Sequence, residues 1–226
     1  MNKLPERELK YTIERRFDAN ALHLLKALCE PDPKYQTNII SSIYFDSNDH
    51  QFAMEKAASD YLKTKLRLRW YTNPQNPEQT STCHLELKNK IGSTRQKSRW
   101  PIECNGSQVE KMVSDGTIGN LIEQQLLKQS HHLSGLNLKP LVLVRYTRHR
   151  FIEAFSGTRV ALDTDIHAWQ PGTESRVVHL DRSVIEAKGT SDVLPQSLQP
   201  LSCINIRKDA FSKYYLCFSE LFDYQQ

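Results

Sequence analysis

The sequence predicts an α+β fold built on a mainly antiparallel sheet. Three observations carry that expectation. Segments alternating apolar and polar residues outnumber segments with helical spacing, short turn-rich stretches often join adjacent ones, and no glycine-rich nucleotide cradle breaks the series. Period-two alternation runs over Glu6–Arg16, Ile39–Phe45, Tyr61–Tyr71, Thr82–Lys90, Lys97–Cys104, Leu141–Ile152, Arg159–His167 and Arg176–Gly189. Helical spacing begins at Asn20–Glu30, where Asn20 is the expected cap of a run carrying Leu22, Leu24, Leu25 and Leu28. It recurs at Asp49–Ala58, Ser107–Asp115, Ile118–Gln129 and Lys208–Phe222. Loops are expected at Pro31–Pro33, Thr72–Thr82, Asn105-Gly106 and Ser134–Pro140, each rich in Pro, Asn, Gly or Ser. None is long enough for an interdomain linker.

Composition then excludes several classes. Charged residues make up 25% and apolar residues 38% of the 226, an ordinary globular balance. The excess of 30 Lys and Arg over 26 Asp and Glu gives a net charge of +4, too little by itself to argue for nucleic acid. The longest apolar runs, Pro140–Val144 and Tyr214–Phe218, fall far short of the ~20 residues of a membrane span. The opening MNKLPERELK has no apolar core, so no secretory signal is expected there. Five cysteines (29, 83, 104, 203 and 217) are an odd number without a close pair in sequence. Reduced thiols and a cytoplasmic location are the expectation, rather than a disulfide framework or zinc knuckle.

Side chains at i and i+2 of a strand share a face. In YLKTKLRLRWY that rule puts Lys63, Lys65, Arg67 and Arg69 on one side and Leu62, Thr64, Leu66, Leu68 and Trp70 on the other. In CHLELKNK it groups His84, Glu86, Lys88 and Lys90 against Cys83, Leu85 and Leu87. The first strand sets Glu6, Glu8, Lys10 and Glu14 opposite Leu9, Tyr11 and Ile13. Lys97 with Arg99, Arg159 with Asp163 and Asp165, and Glu186 with Lys188 follow the same rule. Cations spaced ~6.6 Å along a strand repel by about 0.6 kcal/mol per pair in water, but by ~2.5 kcal/mol at an effective dielectric of about 20. A wet face tolerates the first value; a sheltered one needs anions to offset the second. For any one strand a solvated charged face is the simpler reading. Repetition over several strands, with Lys and Arg dominating the Tyr61 strand, points instead to phosphate bound by basic side chains and a divalent cation bound by carboxylates.

Other chemistries find no support. P-loop, dinucleotide and nucleophile-elbow motifs are absent, and none of the eight histidines has HExxH or zinc spacing. His131-His132 is read as exposed polar filler.

An ordered series of short motifs carries a resemblance. ERELK at 6–10 is a full E-x-E-x-K and resembles the first-strand signature of the triphosphate tunnel metalloenzymes. LKY at 9–11, SIYFDS at 42–47, KTKLRLRWY at 63–71, LELKNK at 85–90 and QKSRWPI at 96–102 follow it. VRYTRHRF at 144–151, RVALDTDI at 159–166, VIEAKG at 184–189 and FSKYY at 211–215 complete the series. Together they resemble the VTC, or polyphosphate polymerase, domain of that superfamily. The resemblance implies a single domain over 1–226, with an antiparallel β-barrel tunnel and flanking helices. It implies phosphate-handling basic residues at Lys10, Arg67, Arg69, Lys88, Arg148, Arg159 and Lys213. Substrate contacts are implied at Lys65, Glu86, Lys97, Arg99, Lys188 and Ser212, and metal ligands at Glu186, Glu6 and Glu8.

The activity so implied is metal-dependent transfer of the terminal phosphate of ATP to a polyphosphate chain, with Mn²⁺ or Mg²⁺ on the triphosphate. No protein nucleophile is needed. Glu6 and Glu8 also fit a tunnel hydrolase of the CYTH type, acting on tripolyphosphate or a nucleoside triphosphate. A non-catalytic polyphosphate-binding module is the third reading. Partners expected are ATP and polyphosphate or tripolyphosphate, with a separate membrane partner if product must cross a membrane. Nucleic acid is not expected, because aromatics do not interleave with the basic positions.

Overall fold

The computed structural model describes residues 6–58, 61–92, 94–129, 133–173 and 176–223. His131 and His132 lie outside them. The strands are β1 (Arg7–Glu14), β2 (Glu30–Pro31), β3 (Thr37–Asp46), β4 (Leu62–Asn73), β5 (Asn76–Thr80), β6 (Cys83–Ile91), β7 (Thr94–Ile102), β8 (Lys139–Ile152), β9 (Arg159–Trp169), β10 (Val177–His179), β11 (Arg182–Gly189) and β12 (Arg207–Lys208). The helices are α1 (Asp18–Leu28), α2 (Gln51–Ala58), α3 (Gly106–Ser114), α4 (Ile118–Lys128) and α5 (Lys213–Leu221), with 3-10 helices at Arg15–Phe17 and Gln196–Ile204. The expected α+β class with antiparallel pairing holds. Among the described residues no helix is long and apolar enough to cross a membrane.

Contacts divide the chain into two compact units, each assembled from separate segments. One comprises 1–39, 146–166 and 180–212; the other comprises 40–145, 167–179 and 213–226. In the first, β1 lies between β12 and β11, and β11 pairs onward with β9, all antiparallel. Its core joins Leu9 and Ile13 of β1 with Ile185 and Ala187 of β11, under Ala21 and Leu25 of α1 and Leu198 and Leu201 of the second 3-10 helix.

In the second unit β3 neighbours β4, β4 pairs with β5 and β6, and β6 with β7. Leu66, Leu68 and Trp70 of β4 and Leu85 and Leu87 of β6 are buried with Val109 of α3 and Ile118, Ile122 and Leu126 of α4. Burying a large apolar side chain contributes roughly 1.5–3 kcal/mol. Slipping β4 by one residue would expose three of them and bury its cations, so the apolar face fixes the register of the charged one.

Four local expectations needed correction. The stretch 72–82, read as a loop, instead folds back as β5, pairing Thr72 with Thr80 and Asn73 with Asn76; Asn73 Oδ1 accepts from the Gln75 amide to close the turn. Asn105-Gly106 is no free turn, because Asn105 caps α3 in a reciprocal box with Gln108. α1 starts at Asp18, ahead of Asn20, and its preceding residue Phe17 makes no side-chain cap. The helix expected from Lys208 starts at Lys213, since Arg207 and Lys208 pair with Thr12 and Tyr11 of β1 and the Asp209 amide donates to the Lys10 carbonyl. Backbone partners distant in sequence decided the last of these.

Candidate functional site

Strand register in the second unit builds a ladder of cations. Lys63, Lys90 and Arg95 stand in one cross-strand row of β4, β6 and β7; Lys65, Lys88 and Lys97 form the next; Arg67, Glu86 and Arg99 form the third; Arg69 and His84 begin the fourth. These four rows hold nine cations and one carboxylate. Directly opposed side chains have Cβ atoms about 4.5–5.5 Å apart, where like charges destabilise pairing. A sheet that places Lys65, Lys88 and Lys97 side by side therefore carries an electrostatic cost that a bound polyanion would remove.

Glu86 is the hub of the ladder. Its Oε2 accepts from Arg67 Nε at 2.9 Å and Nη2 at 2.6 Å. Arg69 Nη1 lies 3.9 Å from the same carboxylate, Arg99 Nε 3.5 Å and Lys97 Nζ 3.8 Å. The side chain is only 3% exposed, and burial alone would raise its pKa; Arg67, Arg69 and Lys97 overcome that and hold it down to about 2. His84, next on the same face, is shifted the other way: burial and then Arg99 disfavour its protonated form.

The first unit has a different charge pattern. Across β1, β11 and β9, Glu8 stands opposite Lys188, which stands opposite Arg159, and Lys10 stands opposite Glu186. Lys10 Nζ lies 3.4 Å from Glu8 and 3.6 Å from Glu186, and donates to the Phe211 carbonyl at 3.3 Å. Lys188 Nζ is 3.7 Å from Glu8. Arg148 of β8 grips Asp163 with Nε and Nη2, both at 2.6 Å, and Nη2 also donates to Glu186 at 2.7 Å. Burial works against the Arg148 charge, yet Asp163, Tyr146 and Glu186 hold its pKa well above the ordinary range. Here each cation meets a carboxylate.

A model of the VTC domain family matches residues 6–222. The chain belongs to the VTC domain family. Solved structures share its fold at low identity. A protein from Hippeastrum, provisionally assigned as an adenylyl cyclase and described by a dominant triphosphatase activity, is 17% identical with a TM-score of 0.58, covering 96% of this chain and 97% of its own. A provisionally assigned adenylate cyclase from Bacillus halodurans is 15% identical with a TM-score of 0.53, covering 94% and 96%. The PH1819 protein of Pyrococcus horikoshii OT3 is 14% identical with a TM-score of 0.52, covering 95% and 99%. Among curated proteins, human Centrosomal protein of 126 kDa is 26% identical over 106 residues; the match spans 41% of this chain but only 9% of that protein. A divalent metal ion is what the motif resemblance implies for such a domain.

The VTC residues fit such an ion at Glu8 and Glu186. Both present hard carboxylate oxygens to the one ammonium group of Lys10, so they already converge on a cation. Glu6 sits elsewhere, paired with Arg159, both side chains more than half exposed. Of the residues expected at the site, Arg67, Arg69, Glu86, Lys88, Lys65, Lys97 and Arg99 share the ladder. Lys10, Glu8, Glu186, Lys188 and Arg148 gather in the first unit. Lys213 opens α5, and Ser212 lies just before it. Sequence reasoning missed three ladder cations as site residues. Lys63 and Lys90 were on the marked faces, and Arg95 lies two residues before Lys97, so strand parity alone could have found them. Asp163 was also missed as the partner of Arg148, because β8 and β9 meet only in the fold.

Proposed function

We propose that this VTC domain is a polyphosphate polymerase: it aligns the terminal phosphate of ATP with the end of a polyphosphate chain and transfers it. The observation that carries the reading is the nine-to-one ladder of β4, β6 and β7. From Lys90 to His84 it runs ~20 Å at about 3.3 Å per residue, long enough for an extended run of phosphates. Arg forks and Lys point charges neutralise the oxygens of donor and acceptor, which otherwise repel. An oxygen of the chain's terminal phosphate attacks the γ-phosphorus, the bond to the β-phosphate oxygen breaks, and ADP leaves. Ladder cations stabilise the charge spread over the transferring group, so positioning and electrostatics carry the catalysis. A divalent ion held by Glu8 and Glu186 would supply further neutralisation of the triphosphate, with Mn²⁺ and Mg²⁺ both suited to carboxylate oxygens. Arg148, fixed on Asp163 and Glu186, orients the Glu186 carboxylate, and on the motif match we assign Lys10, Arg159, Lys213 and Ser212 to phosphate binding and Glu6 to the metal.

A second reading is hydrolysis of tripolyphosphate or a nucleoside triphosphate, favoured by the paired Glu8 and Glu186 and by the triphosphatase described for the Hippeastrum protein. A binding module without turnover is the third. Residues 1–226 are read as one domain because the family match runs through segments of both compact units. The cytoplasm suits five free cysteines, and any membrane step would fall to a separate partner.

The deciding experiment is ³¹P NMR of the protein with ATP and Mn²⁺ over time. Growth of internal-phosphate signal together with ADP is the expected outcome. Orthophosphate without internal signal would establish the hydrolase, and an unchanged ATP spectrum the binding module.

A further inference from the structure

The SIYFDS motif is not used by the chemistry above, and its side chains lie beside the ladder. Ser42, Tyr44 and Asp46 alternate along β3, so they share one face, while Ile43 and Phe45 on the other face join the apolar core. All three polar side chains are buried. Ser42 Oγ accepts from Arg69 Nε at 2.9 Å, and Tyr44 Oη accepts from Arg67 Nη1 at 3.1 Å. The Tyr44 ring is itself held: it stacks on Tyr214 of α5 with centroids 4.5 Å apart and planes 17° from parallel. Tyr214 Oη donates to Asp46 Oδ2 at 2.7 Å, and Asp46 also accepts from the Phe52 and Ala53 amides at the start of α2.

We propose that Tyr44 is a positioning residue for Arg67, and Ser42 for Arg69, so that the β3 stripe fixes how the two guanidinium groups meet phosphate; this rests on the triphosphate reading of the ladder. A grip on the Nε–Nη2 edge, as Glu86 makes on Arg67, by itself permits rotation about that edge. The Tyr44 hydroxyl, on Nη1, removes it. A guanidinium held at two edges loses less entropy on meeting a phosphate than one held at a single edge. The Tyr214 stack and the Asp46 anchor transmit the rigidity of α5 and α2 to Tyr44.

The test uses the full chain with ¹⁵N-labelled arginine. Arg67→Lys assigns the Arg67 Nε–H signal, and Tyr44→Phe keeps the ring stack while deleting the hydroxyl. In the absence of any ligand, Tyr44→Phe is expected to shift or broaden the Arg67 signal and leave that of Arg69 in place; Ser42→Ala should do the reverse. Calorimetry with tripolyphosphate should then show about tenfold weaker binding for Tyr44→Phe, the size of one hydrogen bond to a charged group. In the Arg67→Lys background the same change should add nothing. An unmoved Arg67 signal, or an equal loss of affinity in both backgrounds, would overturn the proposal. Wild-type protein that fails to bind tripolyphosphate would sink the triphosphate reading instead, with the ligand-free spectra still deciding whether Tyr44 positions Arg67.

Discussion

Two sets of strands in one chain carry charge on a single face, yet they are built to opposite rules. On β4, β6 and β7 nine cations share their rows with Glu86 alone. On β1, β11, β9 and β8, Lys10, Lys188 and Arg148 are each matched to Glu8, Asp163 or Glu186 at 2.6–3.7 Å. In the first arrangement like charges face one another across the strands, a cost that a bound anion would lower. The second pairs its cations with carboxylates of the same unit. The difference teaches that a row of charges is informative only once its neighbours across the sheet are known.

The comparison breaks most visibly at Glu186. Glu186→Gln is expected to lower metal-dependent turnover at least a hundredfold, on the order of the 2.7 kcal/mol of one strong transition-state contact, while tripolyphosphate affinity by calorimetry stays within about threefold. Turnover at the wild-type level would remove Glu186 from the metal site. On the cationic sheet, Glu86→Gln should destabilise the protein by about 3 kcal/mol in urea unfolding, because a buried partner of several cations is lost. Tripolyphosphate should restore more stability to this variant than to wild type, and equal stabilisation of both would contradict a role for Glu86 in balancing the ladder.

Lys88→Ala and Lys188→Ala sharpen the contrast at smaller scale. The first should weaken tripolyphosphate binding about tenfold and flatten its salt dependence, the second less than about threefold. Comparable losses from both would mean that the two faces bind anions alike. Glu86 adds a pH response to the comparison. Its folded pKa, about 2, lies below the ordinary 4.5, so its contribution to stability is complete above that ordinary value. The contribution fades as pH falls from about 4.5 through 2. Thermal unfolding across that window should show a smaller acid-induced loss in Glu86→Gln than in wild type.

Most of this pattern was legible in advance. Alternation in KTKLRLRWY and LELKNK separated the charged from the apolar side, and the buried Leu66, Leu68, Leu85 and Leu87 agree with that split. Local turn chemistry was less dependable: Asn105-Gly106 reads equally well as a turn or as the start of α3 until Gln108 closes the box. Thiol spacing agrees with five free cysteines but hides one neighbouring pair. Cys83 and Cys104 are far apart in sequence, yet the Cys83 amide donates to the Cys104 carbonyl at 3.1 Å and each thiol perturbs the other.

By itself the sequence determined the class of fold, the family and the face on which each charge falls, because strand parity and apolar burial are local properties that a one-residue slip would destroy. Tertiary structure alone decided which charges meet. Pairing Arg67 with Glu86, Arg148 with Asp163 and Tyr44 with Arg67 joins residues 15 to 23 positions apart on different strands, and the contact of Lys10 with the Phe211 carbonyl spans 201. Such contacts follow from strand order and register, set by the whole core at once, and coulombic energy at 3 Å depends on that geometry far more than on composition.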